Sequence, residues 1–283
     1  MTRLKSDDIS GISSQLKAYD EDLIAKTGYN LGQIACHAAG LTEITRAEMA
    51  AIRVVVVPIS WGQGVIEGFC EAAAGILEHL GFDSFVTGQA DLSGLAEAYE
   101  ANADIIFLSD DNDFVALNVQ SRQYVHNAPA TGKGFVAGLD LMAGGLGDKK
   151  VLVLGCGPVG RSATSTLLGY GAKPSIHDIN SEHSRELMGS FPGPDSGRIT
   201  IEQDIRAALA GHRFIVDATN AADIIHAEAI APHTFIAAPG MPLGLSREAL
   251  NKASDRLLHD PLQIGVATMA MAVVKQISKI DKA

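Results

Sequence analysis

The chain has 283 residues, 47% of them hydrophobic, and its 22 Lys and Arg against 33 Asp and Glu leave a formal net charge of −11. That balance argues against nucleic acid or an anionic membrane surface as partner, since both require a cationic excess to neutralise phosphates, and leaves small solutes as the expected partners. Cys36, Cys70 and Cys156 form no Cys-x-x-Cys pair, which suggests neither a disulfide framework nor a structural zinc site. A charged start and a C-terminal apolar run (Ile264 to Val274) too short to span a bilayer predict a soluble, cytoplasmic protein.

From Ser6 to Thr27, residues Ile9, Ile12, Leu16, Tyr19 and Leu23 recur at three- and four-residue steps, predicting one amphipathic helix with Gly28 as its stop. The β-branched run Val54 to Val57 is a strand ended by Pro58. The loop Ser60-Trp61-Gly62-Gln63-Gly64 follows, then a helix carrying Ile66, Phe69, Ile76, Leu77 and Leu80. Ser84 to Val86 predicts a second strand, Leu92 to Ala101 a helix, and Ile105 to Leu108 a third strand running into Ser109-Asp110-Asp111. Such alternation implies a mainly parallel sheet, whose ligands gather beyond the carboxyl ends of its strands. The Ser60 and Asp110 loops are therefore the candidate substrate loops.

A helix over Gly134 to Met142 leads into Ala143-Gly144-Gly145-Leu146-Gly147-Asp148, whose glycine density marks the expected domain boundary. The organisation predicted is a small N-terminal α/β domain, residues 1–146, and a second α/β domain, residues 147–283. Strands of the second are expected at Lys150 to Leu154, Ser175 to His177, Phe214 to Asp217, Phe235 to Ala238 and Arg256 to His259. The helical stretch Ile264 to Ile277 either crosses back to the first domain or forms a contact with a second copy, so a homodimer is an open expectation.

Gly155-Cys156-Gly157-Pro158-Val159-Gly160 follows an apolar strand and precedes a helix over Arg161 to Tyr170. A bare G-x-G-x-x-G is weak; in this context Gly155 allows the tight turn, Gly157 lets backbone approach a pyrophosphate, and Gly160 allows close helix-on-strand packing. Asp178 ends the next strand, where a carboxylate would bind ribose hydroxyls and meet a 2′-phosphate with like charge. The second domain thus reads as a Rossmann domain for NAD. Thr219, after Asp217, and Pro239, after Ala238, end later strands on the same edge; both fit either the flanks of a nicotinamide or ordinary turn chemistry.

Spacing alone assembles no catalytic constellation. His37, His79 and His126 are isolated. Asp110 and Asp111 fit equally a substrate ammonium and a turn cap, Asn118 and Asn127 are of capping type, and Ser60 has no marked histidine partner that would make it a nucleophile.

Val57-Pro58-Ile59-Ser60 with Gly62-Gln63-Gly64-Val65-Ile66, then Leu80-Gly81-Phe82-Asp83, closely resembles the methylornithyl-lysine dehydrogenase family of pyrrolysine biosynthesis. Asp110-Asp111 with Phe114, Ala116 and Asn118, then Asn127 with Pro129, Thr131 and Gly132, continue the likeness. So do the Gly155 turn with Asp178, Ala218-Thr219, Pro239-Gly240, and Pro261-Leu262 with Ile264-Gly265. The resemblance implies a leading helix folding over a substrate held between two domains, with Leu4 in that cover. It also implies substrate contacts from Ser60, Asp110, Asn118, Asn127 and Asp260, and adenosine-ribose binding by Asp178. Asp260 stands where the family is expected to carry Glu, and Trp61 where a small residue is expected. The implied reaction is NAD-dependent oxidation of the terminal primary amine of lysine-linked methyl-D-ornithine to an imine, followed by cyclisation and loss of ammonia to give pyrrolysine. Competing expectations are another NAD-dependent amino-acid dehydrogenase, opine-like or shikimate-like, and a non-catalytic NAD-sensing regulator.

Overall fold

The computed structural model describes residues 4–275, arranged as two compact units. The first draws on the described residues up to Asp22, on Tyr29–Thr131 and on the chain from Pro261 onward; the second comprises Leu23–Gly28 and Gly132–Asp260.

In the first unit, the face predicted for the leading helix is buried at Ile9, Ile12 and Leu16, but the helix is not continuous. It forms as Ser6–Ile9 and Ile12–Thr27, because Gly11 takes φ +79, a left-handed conformation that interrupts the helical ladder. Two further helices, Leu31–Ala39 and Arg46–Ala50, lead into the sheet. Its strands are β1 (Arg53–Pro58), β2 (Asp83–Val86), β3 (Ile105–Ser109), β4 (Phe114–Asn118) and β5 (Gln123–His126), in the order β2-β1-β3-β4-β5. The first three are parallel, as alternation predicts, whereas β4 and β5, absent from the sequence expectation, fold back antiparallel.

Val55, Val57 and Ile106 on one sheet face pack with Ala98 of helix Asp91–Glu100. On the other, Phe107 and Phe114 meet Phe69 at the start of helix Phe69–Leu80; the Phe69 and Phe114 rings cross edge-on at 5.1 Å. Helix Gln263–Val274 is apolar around its circumference and almost wholly buried, the pattern of a core helix. It packs on Leu31–Ala39, Phe69–Leu80, β4 and β5. Ile277, the expected end of that stretch, lies outside the described residues.

The second unit has six parallel strands: β6 (Lys150–Leu154), β7 (Lys173–His177), β8 (Thr200–Ile201), β9 (Phe214–Asp217), β10 (Phe235–Ala237) and β11 (Leu257–Leu258). Their order is β11-β10-β9-β6-β7-β8. Counted from β6 this is the 3-2-1-4-5-6 order of a dinucleotide-binding Rossmann sheet, whose strand order reverses between β6 and β9. β6 and β9 are buried at nearly every position, as strands covered on both faces must be.

Candidate active site

Three loops meet at the carboxyl edge of the first sheet. The backbone N–H of Ser60 donates to Asp91 Oδ1 at 2.8 Å, and its hydroxyl donates to Asp91 Oδ2. These two bonds, the hydroxyl one foremost, hold the Asp91 carboxyl below its ordinary range. In the same loop Gly62 takes φ +78, and a Cβ there would lie 2.1 Å from Asp111 Oδ2. That oxygen accepts the N–H of Gln63 at 2.8 Å. Glycine is thus required at 62 both for its conformation and for the approach of Asp111, which fastens the Ser60 loop to the β3–β4 turn.

Asp110 builds that turn. Its Oδ1 accepts the N–H groups of Asn112 (2.7 Å) and Asp113 (2.9 Å), and its own N–H donates to the Asp113 carbonyl. The Asp113 and Asn112 amides hold its carboxyl low, so it stays ionised. The turn role and a cation-holding role are compatible, because both amide bonds use Oδ1 and among the described residues no hydrogen bond is made at Oδ2. Across the hairpin, His126 Nδ1 lies 3.0 Å from Asp113 Oδ1, and Asn127 follows as the first residue of helix Asn127–Ala143. The Oδ1 of Asn127 accepts the Thr131 hydroxyl at 3.1 Å. A Cβ on Gly265 would stand 2.8 Å from Thr131 Oγ1 and 2.9 Å from Asn127 Oδ1, which accounts physically for Asn127, Thr131 and Gly265 occurring together.

Asn118 stands apart from Ser60 and Asp110. It ends β4, which runs antiparallel to β3, so it pairs with Ile105 at the amino edge of the sheet, opposite Ser60 and Asp110. Only 2% exposed, it accepts from Gln120 N–H (3.0 Å) and Ser121 N–H (2.9 Å) and donates to the Val273 carbonyl (3.3 Å). Those bonds engage both ends of its amide in structure. Leu4, half-buried, precedes helix Ser6–Ile9, which packs near helix Phe69–Leu80. Asp260 is buried beyond β11 in the second unit, and Trp61 is 78% exposed.

In the second unit, Gly155 has φ +89, and a Cβ there would strike the Ala218 carbonyl at 2.8 Å; one on Gly160 would fall 1.9 Å from the Gly155 carbonyl. Gly157 differs: a Cβ there would meet no atom within 4 Å, leaving backbone open where a pyrophosphate would approach. The helix starts at Pro158 rather than the expected Arg161, with Gly157 as N-cap. Proline suits the first helical position, where an N–H has no helical partner; Val159 and Gly160 carry the remaining first-turn amides. Asp178 Oδ2 accepts the Cys156 N–H at 2.8 Å, while its Oδ1 accepts the Asn180 N–H at 2.9 Å and lies 3.3 Å from His183 Nδ1. Thr219 donates through its hydroxyl to Asp217 Oδ1 at 2.7 Å, and Pro239 leads into Gly240, whose N–H donates to the Asp217 carbonyl at 3.1 Å. Asp217 is fully buried, and burial chiefly pushes its carboxyl up. Open glycine backbone, a helix N-terminus and a carboxylate at the end of β7 fit a dinucleotide.

Asp91, and Asp113 paired with His126, were not among the sequence candidates. Recognition of β4 and β5 as a hairpin would have placed His126 at the carboxyl edge; Asp91 reads locally as an ordinary helix start.

Comparison with known proteins follows the same division. Two solved structures share the fold: quinate dehydrogenase from Corynebacterium glutamicum in complex with NAD (10% identity, 80% of this chain and 93% of that chain, TM-score 0.53) and shikimate dehydrogenase from Aquifex aeolicus (14%, 82% and 93%, TM-score 0.53). Residues 8–125 match the family described as pyrrolysine biosynthesis protein PylD, N-terminal domain. Pyrrolysine synthase from Methanosarcina acetivorans is 30% identical over 276 residues, 97% of this chain and 100% of that protein; the one from Methanosarcina barkeri is 29% identical, covering 97% and 98%. A likeness at this identity that covers 97% of this chain and all of that protein places this chain in the pyrrolysine synthase family.

Proposed function

We propose that this oxidoreductase oxidises, with NAD, the terminal primary amine of methyl-D-ornithine amide-linked to the ε-nitrogen of lysine, giving an imine that the ornithine α-amine attacks to close the pyrroline ring as ammonia departs. The observation that carries this reading is the set of carboxylates, Asp91, Asp110, Asp111 and Asp113, fixed around Ser60 at one sheet edge in a chain whose relatives are named pyrrolysine synthase. Such an edge suits a substrate carrying ammonium groups, which quinate- and shikimate-like compounds lack.

Val159, Gly160 and the open backbone at Gly157 would hold the pyrophosphate, Asp178 the adenosine ribose, and Thr219 and Pro239 the surroundings of the nicotinamide. When bound, NAD supplies the two-electron acceptor. The chain's own residues do the rest: Asp110 holds an ammonium by a charge-assisted hydrogen bond, Ser60 and Asn127 supply neutral polar contacts, Asp260 an acidic one, and Leu4 excludes water from the imine. The low carboxyls of Asp91 and Asp110 keep the edge anionic at neutral pH.

The test is turnover of NAD with the synthetic lysine-linked dipeptide, followed by mass detection of pyrrolysine and ammonia. We expect turnover with the dipeptide and none with quinate or shikimate; the reverse result sinks the proposal. Asp110→Asn should lower kcat/KM for the dipeptide at least tenfold while leaving NAD affinity unchanged.

A further inference from the structure

We propose that His126 is the proton acceptor that deprotonates the substrate's reacting ammonium, and that Asp113 is its positioning residue. The proposal rests on the primary-amine substrate argued above. Hydride cannot readily leave a carbon bonded to an ammonium, since two adjacent positive centres would result; the amine must first be neutral. The carboxylates that capture the cation work against this, because an anion near an ammonium stabilises its charged form. An edge built from Asp91, Asp110, Asp111 and Asp113 therefore needs a separate group to take the proton.

His126 ends β5 at that edge, directly before Asn127. Its Nδ1 is 3.0 Å from Asp113 Oδ1, so Nδ1–H donates to the carboxylate and the lone pair of the neutral ring lies on Nε2. Among the described residues, Nε2 makes no hydrogen bond. The ring of Tyr124 meets the imidazole edge-on at 5.0 Å and fixes its plane. Neither β4 beside it nor helix Gln263–Val274 carries a charged side chain; the charges of the adjoining turn are Asp110, Asp111 and Asp113. An oriented imidazole with one nitrogen tied to a carboxylate and the other open is the arrangement of a general base. In the step, an N–H bond of the ammonium breaks, its electron pair stays on the amine nitrogen, and the proton passes to Nε2, from which it reaches water through a side chain 40% exposed.

Three measurements on the full-length protein test this: steady-state kinetics of wild type, His126→Gln and Asp113→Asn from pH 7 to 10; dipeptide affinity by calorimetry without NAD; and imidazole NMR signals during that titration. We expect His126→Gln to lower kcat about 100-fold or more at pH 7, with dipeptide affinity within about threefold of wild type. The deficit should shrink toward pH 10, near which a lysine-like amine with a pKa of about 10.4 loses its proton unaided, and added imidazole should restore part of the rate. Asp113→Asn should lower kcat about tenfold, a larger factor than its effect on KM, and the wild-type His126 signal should move when dipeptide binds. Unchanged kcat in His126→Gln overturns the proposal. So does a loss that is equal at every pH and matched by lost affinity, which would make the pair a mere hairpin clasp. If wild type itself does not oxidise the dipeptide, the substrate reading falls and this proposal with it; equal kcat at pH 7 in wild type and His126→Gln removes the proposal alone.

Discussion

Asp178 engages one carboxylate oxygen with the Cys156 amide and the other with the Asn180 amide and His183, leaving its side chain 13% exposed. A 2′-phosphate brought to it would face a fixed negative charge, and on that ground we propose NAD rather than NADP as the cofactor. Asp178→Ser should narrow the ratio of kcat/KM for the two cofactors by at least tenfold; equal use of both by wild type would deny Asp178 this role. Asp217 makes a prediction of opposite electrostatic kind. Burial raises its carboxyl in the folded protein, so with rising pH the unfolded chain loses this proton first and the folded state is penalised. The penalty is absent below the unfolded pKa of about 3.9 and grows until the raised folded value is reached. Asp217→Asn removes it, so the stability of the variant relative to wild type, from urea unfolding at pH 3.5, 5 and 7, should increase along that series. A difference that stays constant would mean that Asp217 does not titrate differently in the two states.

Among the elements, those with a dense apolar signature are the ones the sequence makes plain. β1, β3, β6 and β9 are runs of Val, Ile, Leu and Phe buried on both faces, and their alternation with helices is enough for the fold class. β4 and β5 are harder to see, since β4 alternates buried with half-buried residues, ends in Asn118 and follows four turn-forming polar residues. Helix Leu31–Ala39 did carry a signal: Asn30 and Gln33 form a reciprocal capping box. The site is less legible than the fold because its partnerships are distant in sequence. Ser60 and Asp91 are 31 residues apart, and Gln63 and Asp111 are 48 apart; no local spacing encodes either. Two helix glycines separate the sites experimentally. Gly265→Ala would push on the tips of Thr131 and Asn127, whereas Gly132→Ala would press on the Val159 carbonyl at 2.6 Å and on Ser162 at 2.7 Å. Each should cost about 1–3 kcal/mol of stability by overpacking. Gly265→Ala should chiefly raise KM for the dipeptide, and Gly132→Ala should chiefly weaken NAD binding. The opposite assignment in calorimetric titrations would show that the helix contacts do not transmit to the nearer site.

At the scale of the molecule, the leading helices are the proposed cover. Removing Met1 to Ser6 should reduce turnover at least tenfold while NAD affinity stays unchanged; full activity after that deletion would dispose of the cover. The discontinuity of the first unit has a different consequence, one of timing. During translation, Gly132–Asp260 is present as one uninterrupted stretch before the final segment is made, while the first unit still lacks helix Gln263–Val274 and its buried contacts with Leu31–Ala39, β4 and β5. The nucleotide sheet can therefore assemble before the substrate-binding unit closes, because the core of that unit stays open until helix Gln263–Val274 has emerged. A nascent chain held on the ribosome by an added tether, with Asp260 just outside the exit tunnel, should resist protease across residues 132–260 and be cut within residues 29–131, and emergence of residues 261–275 as well should close that window.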